Sequence, residues 1–174
     1  MTRLLRAIDL ACAAGAGLAA IAAGLLALLL IAEVVLTSFF ATSQPYVIEY
    51  AIFLQAAVLF AGSGWALRQG AHIRVSVLLA ALPDAARRVL DLAGTAFALG
   101  ILGFAASALV QQWLRTLDLG SRSFYPMQTP LWIPQGVVTL GVCLLVLAFA
   151  ARLARLLRNE PPEAVGALGG GSGE

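Results

Sequence analysis

Four stretches of this chain run without a charged residue: Leu10–Ala32, Tyr50–Leu67, Leu92–Leu114 and Leu131–Ala151. Each holds 18 to 23 residues. Crossing the hydrocarbon core of a bilayer takes about 20 helical residues. The pattern therefore predicts four membrane-crossing segments. Within lipid the backbone must satisfy its own hydrogen bonds, which leaves helices or a closed barrel. The runs do not alternate apolar and polar positions as barrel strands do. The expected fold is an all-α integral membrane protein of four long, tilted transmembrane helices. They form one membrane domain over residues 1–158, with spans at about 10–40, 47–69, 84–117 and 130–157.

Two of these helices should exceed the membrane. Nothing breaks the first before Pro45, so it continues past Ala32 toward Phe40. The third starts near Asp84, where Pro83 followed by an acid suits a helix N-terminus, and runs toward Asp118. Helices longer than the core must tilt or protrude. The connector segment His72–Leu82, HIRVSVLLAAL, is apolar but too short to span. It is expected as a short interfacial or re-entrant segment between spans two and three. The Gly- and Ser-rich end over 159–174 is expected as a flexible cytoplasmic tail. The first apolar run is longer than a signal-peptide core, so a retained first helix is expected.

Composition narrows the class. The chain is 61% hydrophobic and 11% charged, where a soluble domain carries roughly 25% charged residues. Its connectors leave no room for a soluble domain. The net charge of +2 is spread over helix ends and forms no nucleic-acid-binding face. All eleven basic residues are arginine, and their distribution sets an orientation. Arg3, Arg6, Arg68, Arg74, Arg87, Arg88, Arg152, Arg155 and Arg158 fall on one side, and only Arg115 and Arg122 on the other. The positive-inside rule then places both termini and the second connector in the cytoplasm. Trp65, Trp113 and Trp132 sit at span ends, where indole prefers the headgroup level, and are expected as interface anchors.

Few polar residues are candidates for chemistry. Glu33 closes the first apolar run, and membrane carboxylates are costly. It is either the coupling group of a self-sufficient proton-coupled transporter or, as preferred, a carboxylate near the outer interface or paired across helices. Glu49 is expected as a solvated or paired acid at the start of span two. His72 is the only histidine and is expected to be structural. Cys12 and Cys143 read as apolar packing residues without a CxxC pair. Arg87 and Asp91 have i,i+4 spacing, and with Arg88 predict a local charge cluster at a helix end. Gln111 and Gln112 suit bonds between helices. The pairs Ala20/Gly24, Ala96/Gly100 and Gly103/Ser107 are candidates for close helix approach, though alanine-rich sequences make such pairs by chance. No nucleophile, base and carboxylate meet at one membrane depth, and no metal-ligand set is present. An enzyme is not expected.

The stretch Gly64–Leu79, GWALRQGAHIRVSVLL, resembles the small membrane subunit, DctQ type, of tripartite ATP-independent periplasmic (TRAP) transporters. The resemblance is borne by Ala66, Leu67, Arg68, Gly70, His72, Ile73, Arg74 and Val75. Pro83 before the arginine pair, and Pro130, Trp132, Pro134 and Gly141 at the start of span four, extend it, as does Glu49. The chain departs from the family at Ser76, where an aspartate is common, and at Leu36-Thr37-Ser38. It also lacks a second glutamate beside Glu49. The resemblance implies an accessory scaffold subunit in a bacterial inner membrane. Its implied partners are membrane lipids, a large M-type membrane subunit that moves like an elevator, and a periplasmic P-type binding protein that delivers an organic acid. Sodium ions and the substrate would be held by the large subunit, leaving no cofactor and no substrate site in this chain.

Overall fold

The computed structural model describes residues 2–70 and 83–158. Five helices are present among them: α1 (Thr2–Phe40), α2 (Val47–Ala61), α3 (Ser63–Arg68), α4 (Asp84–Leu119) and α5 (Trp132–Leu157). The region expected to be interfacial or re-entrant, and the C-terminal tail, lie outside the described residues. Four helical runs are long and apolar enough to cross a membrane, with α2 and α3 counting as one run over Val47–Arg68. At 1.5 Å per residue, α1 is about 58 Å long and α4 about 54 Å, against a hydrocarbon core of about 30 Å.

The second run is interrupted where a single helix is expected. Gly62 separates α2 from α3, and its N–H turns to the Phe60 carbonyl. The Ser63 hydroxyl donates to the same carbonyl at 2.8 Å. Gly62 keeps right-handed dihedrals, and Ala66 N–H bonds back to its carbonyl at 3.0 Å. The run therefore continues in the same direction. Gly70 follows α3 with φ +70, a conformation costly for any residue with a Cβ.

Helix α5 is the hub. It packs against α1, α2, α3 and α4, whereas α4 touches no other described helix. Burial follows this arrangement: 39% of the apolar window of α5 is buried, against 11% for α1 and for α4. The apolar core gathers Cys12, Leu67, Leu145 and Ala148, with Ile8, Leu102 and Phe149 against it. Cys12 thus packs as expected of an apolar residue.

Lipid tails are as apolar as leucine, so helices hold together in a membrane through close packing. The close approaches occur at glycines other than those of the expected pairs. A Cβ on Gly15 would lie 2.5 Å from the Ala61 carbonyl oxygen, and one on Gly141 would lie 2.6 Å from the Phe60 carbonyl carbon and oxygen. A Cβ on Gly64 would meet Cys12 Sγ at 3.0 Å, and one on Gly62 would meet the Ala19 side chain at 3.2 Å. By contrast Gly24, Gly100 and Gly103 face open space, and Ala20 and Ala96 are exposed. Four-residue spacing alone did not pick the right pair: on α1 it is Gly15 and Ala19 that meet Ala61 and Gly62, because the opposite helix decides which of several such pairs is used.

Candidate functional site

The ionisable residues gather at the two ends of the bundle. At one end the start of α1, the close of α3, the start of α4 and the close of α5 meet. Asp9 of α1 pairs with Arg68 of α3. It also accepts from Arg155 of α5, whose Nη2 lies 2.9 Å from both carboxylate oxygens. Beside it, Arg152 of α5 is 4% exposed in its side chain. Its Nη2 donates to both oxygens of Asp91 on α4 at 2.9 and 3.1 Å. Its Nε reaches the Thr95 hydroxyl at 3.4 Å, and that hydroxyl donates to the Asp91 carbonyl at 2.7 Å. The bidentate fork suits a guanidinium in a dry site.

This corrects one expectation. Asp91 turns across to α5, while Arg87 and Arg88 are exposed. The i,i+4 rule describes an isolated helix surface. Here a desolvated partner on a neighbouring helix wins over a solvated one on the same helix. Asp9 was overlooked in the sequence, although it is an acid set just outside an uncharged run and between arginine-rich ends. Arg152 and Arg155 were read only as topological charge.

The opposite end uses few cations. Glu49, in the first turn of α2, has 0% exposure, so the solvated alternative does not hold. Its Oε1 accepts from the Thr129 backbone N–H at 3.2 Å. The hydroxyls of Thr129 and Ser123 and the Met127 backbone N–H also face the carboxylate, although Oε2 and the Thr129 hydroxyl close no well-directed hydrogen bond. These donors all belong to the loop between α4 and α5. That loop leaves α4 at Gly120, whose φ of +58 closes the helix with an N–H to the Leu117 and Thr116 carbonyls. It is tied by Ser123 N–H to Thr129 O at 2.9 Å and Leu131 N–H to Ser121 O at 3.0 Å. Gln128 takes a left-handed φ of 50 at its turn, which brings the next amide, that of Thr129, onto Glu49. Loop donors thus wrap a buried anion, which accepts backbone N–H bonds well.

Glu33 is engaged at this end as well. Its Oε1 accepts from the Ser43 hydroxyl at 2.6 Å, and both of its oxygens lie 3.3 Å from the Gln44 backbone N–H. It therefore ties the α1–α2 connector to α1.

The remaining expected site residues fall as follows. Trp113 donates its indole N–H to the Trp132 carbonyl at 2.9 Å and lies over Gly136, so it joins α4 to α5 in addition to any anchoring. Trp65 and Trp132 are exposed. Pro83 caps α4, its carbonyl accepting from Arg87 N–H at 2.9 Å. Pro130 bridges to Arg122 across the loop. Pro134 lies in the first turn of α5, where a missing N–H costs nothing. Gly141 sits at the α2–α5 crossing. His72, Ile73, Arg74 and Val75 lie outside the described residues. Gln111 and Gln112 are exposed and form no side-chain bond between helices among the described residues. Among the described residues no three His, Cys, Asp or Glu side chains gather in a way that could hold a metal ion.

The family model described as tripartite ATP-independent periplasmic transporters, DctQ component, matches residues 26–159. Among curated proteins and among solved structures, nothing matches the chain.

Proposed function

Since this chain belongs to the DctQ component family of tripartite ATP-independent periplasmic transporters, a multi-pass, non-enzymatic transporter subunit, we propose that it acts as a scaffold. In this reading it braces a larger M-type membrane subunit that binds the solute and sodium. A soluble P-type protein delivers the solute, an organic acid, outside a bacterial inner membrane. The arginine-rich end then faces the cytoplasm, as the nine-to-two arginine bias supports. The chain holds no cofactor or coupling ion of its own.

The observation that supports this most is where the ionisable groups lie. Charged residues of the described chain stand at the two ends, where Asp9, Arg68, Arg155, Asp91, Arg152, Glu33 and Glu49 tie elements together. Between the ends, the bundle closes on backbone contacts at Gly15–Ala61 and Gly141–Phe60. A solute path through α1, α2 and α5 has no room at those crossings. Glu33, the carboxylate of the alternative proton-coupled reading, is already bonded to the connector it secures.

The test is uptake into proteoliposomes. The chain alone should give none, and the chain with its large subunit and binding protein should give full uptake. Uptake by the chain alone would sink the scaffold reading. Glu33→Gln should leave uptake by the complete assembly largely intact. Abolished uptake with assembly preserved would argue for direct coupling through Glu33.

A further inference from the structure

Among the described residues, the ion cluster of Arg68, Arg155 and Asp9 is not balanced. Arg68 and Arg155 share the single carboxylate of Asp9, leaving one positive charge in excess among the three. Both guanidiniums lie within ion-pair distance of the same carboxylate, so the two like charges stand close together. Side-chain exposure is 26% for Arg68, 11% for Arg155 and 22% for Asp9. An excess charge that is mostly desolvated is costly unless an anion reaches it.

The position indicates which anion. The cluster lies directly beyond the apolar core. Asp9 is three residues before Cys12, Arg68 follows Leu67, and Arg155 is seven residues after Ala148. It therefore caps the membrane-crossing part of α1, α3 and α5, at the level where lipid headgroups begin. Arg68, a quarter exposed, opens the cluster to its surroundings. A guanidinium fork matches the paired oxygens of a phosphodiester. Basic pockets between transmembrane helices on the cytoplasmic side are suited to anionic headgroups.

We propose that Arg68 and Arg155, bridged by Asp9, form a binding site for the phosphate of an anionic phospholipid. The lipid supplies the missing negative charge and fills the notch where α1, α3 and α5 leave the membrane. This inference rests on the cluster's geometry and charge and on the cytoplasmic placement proposed above, and lipid retention is read without any transport measurement.

Native mass spectrometry of the full chain tests it, with mixed phosphatidylglycerol and phosphatidylcholine micelles as the lipid source. The wild-type chain should retain phosphatidylglycerol in preference. Arg155→Gln, which leaves Asp9 and Arg68 balanced, should reduce that preference about fivefold, the effect of one arginine near an anionic surface. Arg68→Gln balances the cluster while keeping the bidentate Asp9–Arg155 pair, and should do the same if Arg155→Gln does not fold. Arg88→Gln, an exposed arginine at the same end, should leave the preference unchanged. An equal loss in Arg88→Gln would overturn the site in favour of diffuse surface charge. An unchanged preference in both cluster variants would overturn it outright. Competition by millimolar inorganic phosphate as effective as the lipid's own binding would assign the cluster to a free anion and reject the lipid.

Discussion

The two ends of the bundle solve the same problem with different chemistry. At the arginine-rich end, helices are tied to one another by ion pairs: α1 to α3 and α5 through Asp9, and α4 to α5 through Arg152 and Asp91. At the opposite end, carboxylates hold loops to helices through neutral donors. Glu49 gathers the α4–α5 loop, and Glu33 gathers the α1–α2 connector. The difference follows from what each end must fix. Helix termini far apart in sequence need long, charged side chains to reach each other. A loop folding back on a helix brings its own amides, and a buried carboxylate needs only those. Helix α4 shows the consequence. Among the described helices it touches only α5, and at its ends it is held by the Arg152–Asp91 fork and the Trp113–Trp132 bond.

Substitutions can show whether the ends are independent. Arg152→Ala should have the largest effect. It leaves Asp91 without its fork, at a cost of roughly 2–3 kcal/mol because Asp91 is partly exposed. Hydrogen exchange should rise over residues 84–95 and stay unchanged over 121–131. Gly141→Ala comes next, since its Cβ would collide with the Phe60 backbone between the ends. Overpacking of this kind costs about 1–3 kcal/mol. Denaturation of the purified chain should show one lowered transition, with exchange raised at both ends together.

Glu49→Gln should cost about 1–2 kcal/mol, by weakening a charge-assisted bond inside a buried site. Its signature is faster exchange at Thr129 and cleavage by protease within 121–131, with the arginine-rich end unaffected. If that end loosens too, the two ends are coupled through α5 and the contrast drawn above fails. Trp113→Phe should cost about 1 kcal/mol, through its lost bond to the Trp132 carbonyl. The check is exchange confined to the last turns of α4. Arg88→Gln should change stability by less than about 0.5 kcal/mol, as for an exposed charge without a partner. A thermal melt that moved as far for Arg88→Gln as for Arg152→Ala would show that charge number, rather than pairing, secures that end.

The span pattern was legible because its cause is local. Each apolar run of about 20 residues has one stable state in lipid, whatever its neighbours do. The start of α4 at Asp84 and the extension of α1 to Phe40 were readable for the same reason, from a proline and from the lack of a breaker. Glu49 shows the limit of such reading. Its place at a helix start was plain, yet its burial depends on a loop 80 positions later in the chain. The glycines teach a similar lesson. Gly103 and Ser107 have the spacing of a packing motif, and no helix stands opposite Gly103. Gly15 and Ala19 share that spacing too, and they are the ones that meet the second span, at Ala61 and Gly62.

By itself the sequence determined the four runs long and apolar enough to cross a membrane, the segregation of arginine to alternate connectors, and the resemblance whose family the match over residues 26–159 bears out. These follow from transfer energies and from motifs read along one strand of chain. Only the tertiary structure decided that α5 is the hub, that Asp9 serves two arginines, that Asp91 leaves its own helix for Arg152, and that Glu49 is sealed beneath a loop. Each of these is a choice among partners of equal chemistry. The low dielectric of a packed bundle makes the nearest desolvated partner win, and which partner is nearest is a property of the fold.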